Sequence, residues 1–446
     1  MTLTTKVLLA MALGIVIGLG INLSGINVEG GFTNEYIVGG LFYIVGKMFI
    51  TALKMLVVPL VFFSLIAGVL GIGDIRKLGS VGLKSFGLYM LTTAIAIATA
   101  IGLAAVVIPF FNTPSANAVA FTGKEAPPIS DVLINIIPDN VIAAFASGNM
   151  LQIIFFSILL GISLLMVGKK AQGIAEGIEV MNEAMMNMVN IVMSVAPYAV
   201  FALLAKAVAE LGLDLLAQLA VYVVVLIAAL LFHLFGTLML ILKLFSGLSP
   251  KRFLAKIRDA QIFAFSTASS NATIPVTLRS VTKRMGVDNS VASFTVPFGA
   301  TINMDGTAIM QGVATVFIAN VYSVDLGISG YLTVILMSVL ASIGTAGVPG
   351  VGLIMLSMVF VQVGLPVEGI GLILGVDRLL DMVRTSVNVT GDAVVTCVVA
   401  KSEDELDLAV FADVDAGLVE ELEIDDASED ALAEVVRKVG KNTNDF

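Results

Sequence analysis

Five polar residues in the last apolar stretch of the chain stand at spacings that bring them to one side of a helix: Asp377, Asp381, Arg384, Asn388 and Asp392. At 100° per residue they fall in a stripe about 80° wide. Arg384 presents a planar fork that matches a carboxylate bidentately. Asp381, almost one turn earlier, is placed to hold an ammonium, and tip amides of broken helices can receive a second carboxylate. Together these groups describe a site for an acidic amino acid. Asp392, Asp305, Asn303 and unwound carbonyls supply hard oxygen ligands for a small hard cation, whereas no sulfur or imidazole cluster is available for a transition metal.

The surroundings of that stripe are apolar. The chain has 446 residues, 58% of them apolar and 13% charged, with a mean hydropathy of +1.02. Soluble domains run at about 45–50% apolar and about 25% charged, so the composition is that of an integral membrane protein. A charge at the bilayer centre costs about 2.5–3.5 kcal/mol even on the mildest scale. A stripe in which four of five residues can be charged must therefore face a ligand or a partner. A ladder of ion pairs gluing helices together is the alternative to a ligand site.

The net charge of −10 is a property of the tail: beyond Lys401 stand 15 acidic residues and three basic ones. The low pI thus says nothing about a substrate, and no basic patch with interleaved aromatics supports nucleic-acid binding. Cys397 is the single cysteine and His233 the single histidine, which excludes an internal disulfide and a thiolate or imidazole metal site. His233, in the apolar run 231–235, reads as a packed histidine bonded to a nearby carbonyl, with a proton relay as the alternative. Cys397 reads as a small core residue. No nucleophile–base pair is visible, so the chain does not read as an enzyme.

What must position the stripe is a set of spanning helices of about 20 residues each. Candidates lie at 7–25, 37–72, 82–110, 131–168, 175–211 and 215–246, with Pro59, Pro138 and Pro197 as places for kinks or breaks. The first run, close behind Lys6, lacks a small-residue cleavage signature and is expected to be an uncleaved helix. Arg76, Lys77, Lys84, Lys169, Lys170 and the cluster from Lys243 to Arg258 fall in alternate loops. The positive-inside rule then puts both termini in the cytoplasm. Beyond residue 250 two apolar segments are interrupted by small and hydroxyl residues, at 266–275 and 341–350. Their halves are too short to cross a core about 30 Å thick, so each is expected to be a re-entrant hairpin. Each is followed by a helix with polar residues at mid-depth, and the two units face opposite ways as an inverted repeat, the pattern of a transporter binding site.

Four motifs carry a resemblance: Ser269–Pro275, Ala300–Thr307, Ser342–Gly350 and Asp381–Asp392. In this order and spacing the chain resembles the dicarboxylate/amino acid:cation symporters, which include glutamate and aspartate transporters, over about residues 5–401. The resemblance implies an all-α membrane protein of eight transmembrane helices and two re-entrant hairpins, working as an elevator in a homotrimer. It implies scaffold helices in 1–72 and 128–214, a transport-domain helix in 73–110 and a transport core in 215–401; the acidic tail in 402–446 finds no match in the family and is read as cytoplasmic from its charge and the orientation. It implies a substrate site at Ser269, Ser270, Thr307, Val348, Asp381, Arg384, Thr385 and Asn388. One sodium site is implied at Gly299, Asn303, Asn388 and Asp392, and a second at Thr301, Ser342, Ile343 and Thr345, next to Met304. A third is implied at Tyr89, Thr92, Thr93, Asn303 and Asp305. Relatives often carry a further arginine at the first tip or directly after the aspartate of the last helix; here Ala268 and Met382 stand there, and Arg378 lies beside Asp377.

The function expected is sodium-coupled symport of aspartate or glutamate across the inner or plasma membrane. Proton coupling or a C4-dicarboxylate substrate is the first alternative, but Asp381 would repel a substrate that lacks an ammonium. An ion channel is more distant, since a pore needs sites that release quickly. The tail beyond Lys401 is expected to be solvated and dispensable, with one short helix near 427–439.

Overall fold

In hydrocarbon no water pairs a free N–H or C=O, so long apolar runs close their hydrogen bonds within themselves. The computed structural model describes residues 3–71, 75–111, 134, 136–343, 347 and 349–417. Its first half comprises α1 (Leu3–Ser24), α2 (Tyr43–Gly71, continuing a π-helical stretch Thr33–Phe42) and α3 (Ile75–Phe111). Then come α4 (Val141–Ser147), α5 (Met150–Val167), α6 (Gln172–Ser194) and α7 (Ala196–Phe232). A π-helical turn at His233–Thr237 leads into α8 (Leu238–Ser246). Among the described residues, Thr5–Ser24, Thr33–Leu70, Gly79–Phe110, Gln152–Ser194 and Leu216–Ser246 are long and apolar enough to cross a membrane.

The kinks fall partly elsewhere than the prolines suggest. Pro59 sits inside α2 without ending it, and Pro197 opens α7. Further breaks are made by glycine: Gly79 (φ 34°) interrupts α3, Gly148 (φ 69°) separates α4 from α5, Gly168 (φ 69°) ends α5, and Gly212 (φ 66°) interrupts α7. A side chain in that left-handed region costs about 1–2 kcal/mol, so glycine is where the chain can turn.

The second half is built from shorter pieces. α9 (Pro250–Thr267) and α10 (Ser270–Arg279) form one hairpin that turns at Ala268. α11 (Asn289–Ile302) and α12 (Asp305–Val321) are halves of a helix interrupted at Asn303 and Met304. α13 (Gly327–Ser342) and α14 (Val351–Gln362) make the second hairpin, with 16 and 12 residues. At 1.5 Å per residue these arms reach about 24 and 18 Å, short of a bilayer core. α15 (Ile370–Ser402) is the long last helix, and α16 (Leu408–Ala412) follows it.

α15 is the axis of the core: α7, α8, α9, α11 and α12 pack around it. Every residue of α12 except Asn320 is buried, as suits a helix surrounded on all sides. α1 lies along α7, and α2 along α5, α6 and α7. Cys397 is fully buried, 3.6 Å from the Met285 sulfur, in the role expected of it.

The expectation of a solvated tail fails for residues 403–417. An isolated antiparallel bridge joins Leu406 to Val287, with Asp288 donating to the Glu405 carbonyl at 2.9 Å and Asp407 donating to the Gly286 carbonyl at 2.8 Å. Phe411 is buried. The Lys256 ammonium, also buried, donates to the carbonyls of Arg284, Val410 (2.8 Å) and Asp413 (2.6 Å) and lies 5.8 Å from the Phe411 ring centre. At the other edge Glu403 accepts from Lys84 (2.6 Å) and Ser80 (2.5 Å), contacts that hold its carboxyl below the usual range. This clasp ties the end of α15 to the base of the first hairpin. Composition hides it, because the acidic residues face water while one phenylalanine and a distant lysine do the anchoring. The helix expected near 427–439 lies outside the described residues.

Truncation after Gly417 keeps the whole of this clasp. Truncation after Ser402 uncovers Phe411's socket and strips two acceptors from a buried ammonium, a loss of about 2–5 kcal/mol. A thermal melt of the two truncated proteins checks this; equal melting temperatures would show the clasp to be incidental.

Candidate functional site

The stripe read from the sequence is one continuous buried face of α15. Asp377, Asp381, Arg384, Asn388 and Asp392 are all buried, Arg384 at 0% exposure. Arg384 is held by its own helix: Nη1 donates to Asp377 Oδ1 at 2.6 Å and Nη2 to Asp381 Oδ1 at 2.8 Å. Removing one partner of a buried pair leaves an uncompensated charge and costs about 3–5 kcal/mol, so the three residues stand or fall together. Arg384 Nε is buried and has no partner among the described residues. Arg378 reaches Asp381 Oδ2 at 3.9 Å. Thr385 donates to the Asp381 carbonyl at 2.7 Å, inside the helix.

Three helix N-termini approach this face, and their free N–H groups and dipoles favour negative charge. α14 begins beside it, with the Gly350 amide 3.4 Å from Asp381 Oδ2. α12 begins at Asp305, and the Gly306 amide donates to Asn388 Oδ1 at 2.7 Å. α10 begins at the first tip, where Ser269 accepts from the Ala272 amide and donates to the Gly347 carbonyl at 2.7 Å. The Asn271 amide donates to the same carbonyl at 3.2 Å, so the two tips touch. Ser270 and Thr307 are buried nearby; Val348 lies outside the described residues.

Close approach is what the glycines of this region provide. A Cβ on Gly306 would sit 2.5 Å from the Arg384 carbonyl oxygen and 2.9 Å from its Cα. A Cβ on Gly299 would meet Asp392 Oδ1 at 2.5 Å and the Tyr89 hydroxyl at 2.7 Å. One on Gly391 would meet Asn303 Nδ2 at 2.7 Å.

The candidate cation ligands group by geometry. Asn303 Nδ2 donates to Asp392 Oδ1 at 2.9 Å, and Asn388 Nδ2 lies 3.3 Å from the Met304 sulfur. These contacts bring Gly299, Asn303, Asn388 and Asp392 together. Thr93 donates to Asp305 Oδ1 at 2.7 Å, and Thr92 contacts Asp305 Oδ1 and Asn303 Oδ1, both at 3.3 Å. Tyr89 donates to the Thr295 carbonyl at 2.9 Å, beside Asp392. Thr301 and the Ile343 carbonyl meet across Gly68 of α2, where a Cβ would lie 3.2 and 3.7 Å from them. Ser342 donates to the Val339 carbonyl at 2.8 Å, while Thr345 lies outside the described residues.

One residue is placed differently from its reading. His233 does not bond a backbone carbonyl; its Nε2 lies 3.1 Å from Asp305 Oδ2, and both side chains have no exposed surface. No local signal marks this, since 72 residues separate the two.

Comparison with known proteins agrees with this architecture. The sodium:dicarboxylate symporter family matches residues 3–402. The chain is 34% identical over 370 residues to the proton/sodium-glutamate symport protein of Bacillus caldotenax, covering 81% of this chain and 87% of that one. It is 34% identical over 418 residues to the proton/glutamate-aspartate symporter of Escherichia coli K12, covering 91% and 94%. It is 33% identical over 373 residues to a C4-dicarboxylate transport protein of Bacillus subtilis 168, covering 82% and 88%. Fold and site thus define a secondary transporter of the membrane, not an enzyme. Within that class, the chain belongs to the sodium:dicarboxylate symporter family.

Because the atoms facing Gly306 are backbone atoms of α15, Gly306→Ala should abolish ligand binding and destabilise by about 1–3 kcal/mol, as overpacking does. Gly312→Ala, whose Cβ would meet side-chain Cγ1 atoms of Ile101 and Ile97 at 3.0 and 3.2 Å and a backbone oxygen no nearer than 3.6 Å, should be milder. Thermal melts and calorimetric binding of the pair check this; equal effects would mean that α12 and α15 can separate without loss.

Proposed function

We propose that the protein is a sodium-coupled symporter of an acidic amino acid, aspartate or glutamate, that carries its substrate by an elevator movement. The observation that carries the substrate reading is the unspent donor of Arg384. Its Nε is buried and without an acceptor among the described residues. A buried N–H without an acceptor costs about 1–3 kcal/mol, and a substrate carboxylate meeting this edge of the fork removes that cost. Asp381, at the α14 terminus, is the acidic group nearest to take the amino group. The other contacts to substrate fall to Ser269, Ser270, Thr307, Thr385 and Asn388, with Val348 at the second tip.

Charge balance favours cations as co-substrates. Asp305, Asp377, Asp381 and Asp392 are buried, Arg384 pairs with only Asp377 and Asp381, and Arg378 lies 3.9 Å from Asp381; an acidic amino acid adds one more negative charge. Unpaired charge in such a site costs several kcal/mol, which cations entering with the substrate offset. Hard oxygen atoms around Asp392, Asp305 and Thr301 suit sodium. Two of the relatives above are named for glutamate transport, which supports the substrate class.

The moving part is assigned to α3, the second half of α7, and α8 to α15; α1, α2, α4 to α6 and the first half of α7 form a scaffold that trimerises. Polar contacts across that boundary are weak. Lys47 and Lys54 of α2 reach Glu368, ahead of α15, at 2.6 and 3.8 Å, with all three side chains about two-fifths exposed. Such pairs are worth about 0–1 kcal/mol, little enough to break during a glide. With both termini cytoplasmic, Gly68 lies near the cytoplasmic end of α2. The tips beside it then face inward, and a cavity of about 290 Å³ lined by Ser64, Gly68, Asn182, Asn271 and Thr301 is the release route.

Uptake of labelled aspartate, glutamate and succinate into proteoliposomes tests this. An imposed sodium gradient should drive accumulation of an acidic amino acid and not of succinate. Accumulation of succinate, or uptake driven equally by a proton gradient without sodium, would contradict it.

A further inference from the structure

His233 lies far from the stripe in sequence and on a different element, yet it completes the hydrogen bonding of Asp305. Asp305 uses both carboxylate oxygens: Oδ1 accepts from Thr93 and contacts Thr92, and Oδ2 faces His233 Nε2 at 3.1 Å. His233 Nδ1 is buried and without a partner among the described residues. The neutral ring protonated on Nε2 is therefore the assignment that leaves no buried N–H without an acceptor. Its Nε2–H then donates to Oδ2. The ring is delivered by the π-helical turn that begins at His233, a one-residue irregularity of a kind common at functional positions.

We infer that His233 is a positioning residue for a cation site at Asp305, an inference that rests on the sodium-coupled reading above. The carboxylate is clamped from two sides. The threonines of α3 hold Oδ1 on the side of Asn303, and the imidazole holds Oδ2 and so fixes the rotation of the group. Gly391 leaves room for that orientation, since a Cβ there would lie 3.1 Å from Oδ2. Without the ring Oδ2 loses its donor and the threonines alone fix the rotation of the carboxylate, so Oδ1 is presented less firmly beside the oxygens of Thr92, Thr93 and Asn303. Groups that orient a metal-binding side chain in this way typically change ion affinity by about 10–100-fold when replaced. The residue thus sets how much sodium the transporter needs, without touching substrate.

The test uses the full-length protein and calorimetric titration of aspartate over a range of sodium concentrations. In His233→Gln the amide nitrogen stands where Nε2 stood; in His233→Asn it stands at the Nδ1 position and falls short; His233→Phe keeps a ring without a donor. The Asn and Phe variants should need at least ~10-fold more sodium for half-maximal effect, with aspartate affinity recovering at saturating sodium, while Gln stays within ~3-fold of the unmodified protein. If Phe fails to fold, the Gln and Asn pair decides alone. Gln shifting as far as Asn, or neither shifting, would overturn the inference and leave sodium coupling standing. Aspartate affinity that is equal in sodium and choline for the unmodified protein would overturn both.

Discussion

Arg384 lies with no exposed surface in the middle of a long apolar bundle, held by Asp377 and Asp381 at 2.6 and 2.8 Å. Taking such charges out of water costs several kcal/mol each even after relaxation, and the pairs repay it only when their geometry is good and their remaining hydrogen-bonding capacity is met. Much of the second half of the molecule serves that condition. The N-termini of α12 and α14 meet α15 directly, at Asn388 and Asp381, while α10 begins at the first tip, bonded to Gly347 of the second. Gly306 allows the α12 backbone to reach the backbone of Arg384. The long helices of the first half have no such task, and they supply a surface against which the polar core is held.

The same arrangement joins the substrate and cation regions. The turn between α11 and α12 bonds α15 in both regions: Gly306 donates to Asn388 on the substrate side, and Asn303 donates to Asp392 on the cation side. A cation drawing on Asn303 and Asp392 therefore bears on the same stretch of chain that frames the substrate. Two ligands that order one element must raise each other's affinity by the same factor. In the proposed mechanism this shared turn, rather than any direct contact between ion and amino acid, is the physical basis of coupling.

Periodicity made much of this legible. The stripe forms one buried face of α15, and the two interrupted segments are each a pair of short helices. The proximity of Thr92 and Thr93 to Asp305 is suggested by the resemblance alone, and the break at Asn303 and Met304 is not read, the segment being expected as a helix with polar residues at mid-depth. What else was not legible depends on contacts distant in sequence. His233 and Asp305 meet across 72 residues, and nothing in the run around His233 announces a carboxylate. Lys256 and Phe411 anchor the start of the tail, but composition weighs only the acidic residues around them. Pro59 was a plausible break, yet its missing N–H is tolerated within α2, whereas Gly148 and Gly212 turn the chain through a backbone region that only they enter readily. Arg384 was read as the partner of a substrate carboxylate; it also pairs with Asp377, two turns away, and with Asp381, which leaves the Nε edge of the fork without an acceptor among the described residues.

The account depends on that edge. Calorimetry of Arg384→Ala at saturating sodium, on a variant that elutes and melts as a folded protein, tests it most directly. Aspartate affinity should fall by at least ~150-fold, the equivalent of the lower end of the roughly 3–5 kcal/mol lost when one partner of a buried pair is removed. A small neutral amino acid, still held through its ammonium by Asp381, should retain weak binding. An aspartate affinity equal to that of the unmodified protein would show that the carboxylate is bound elsewhere.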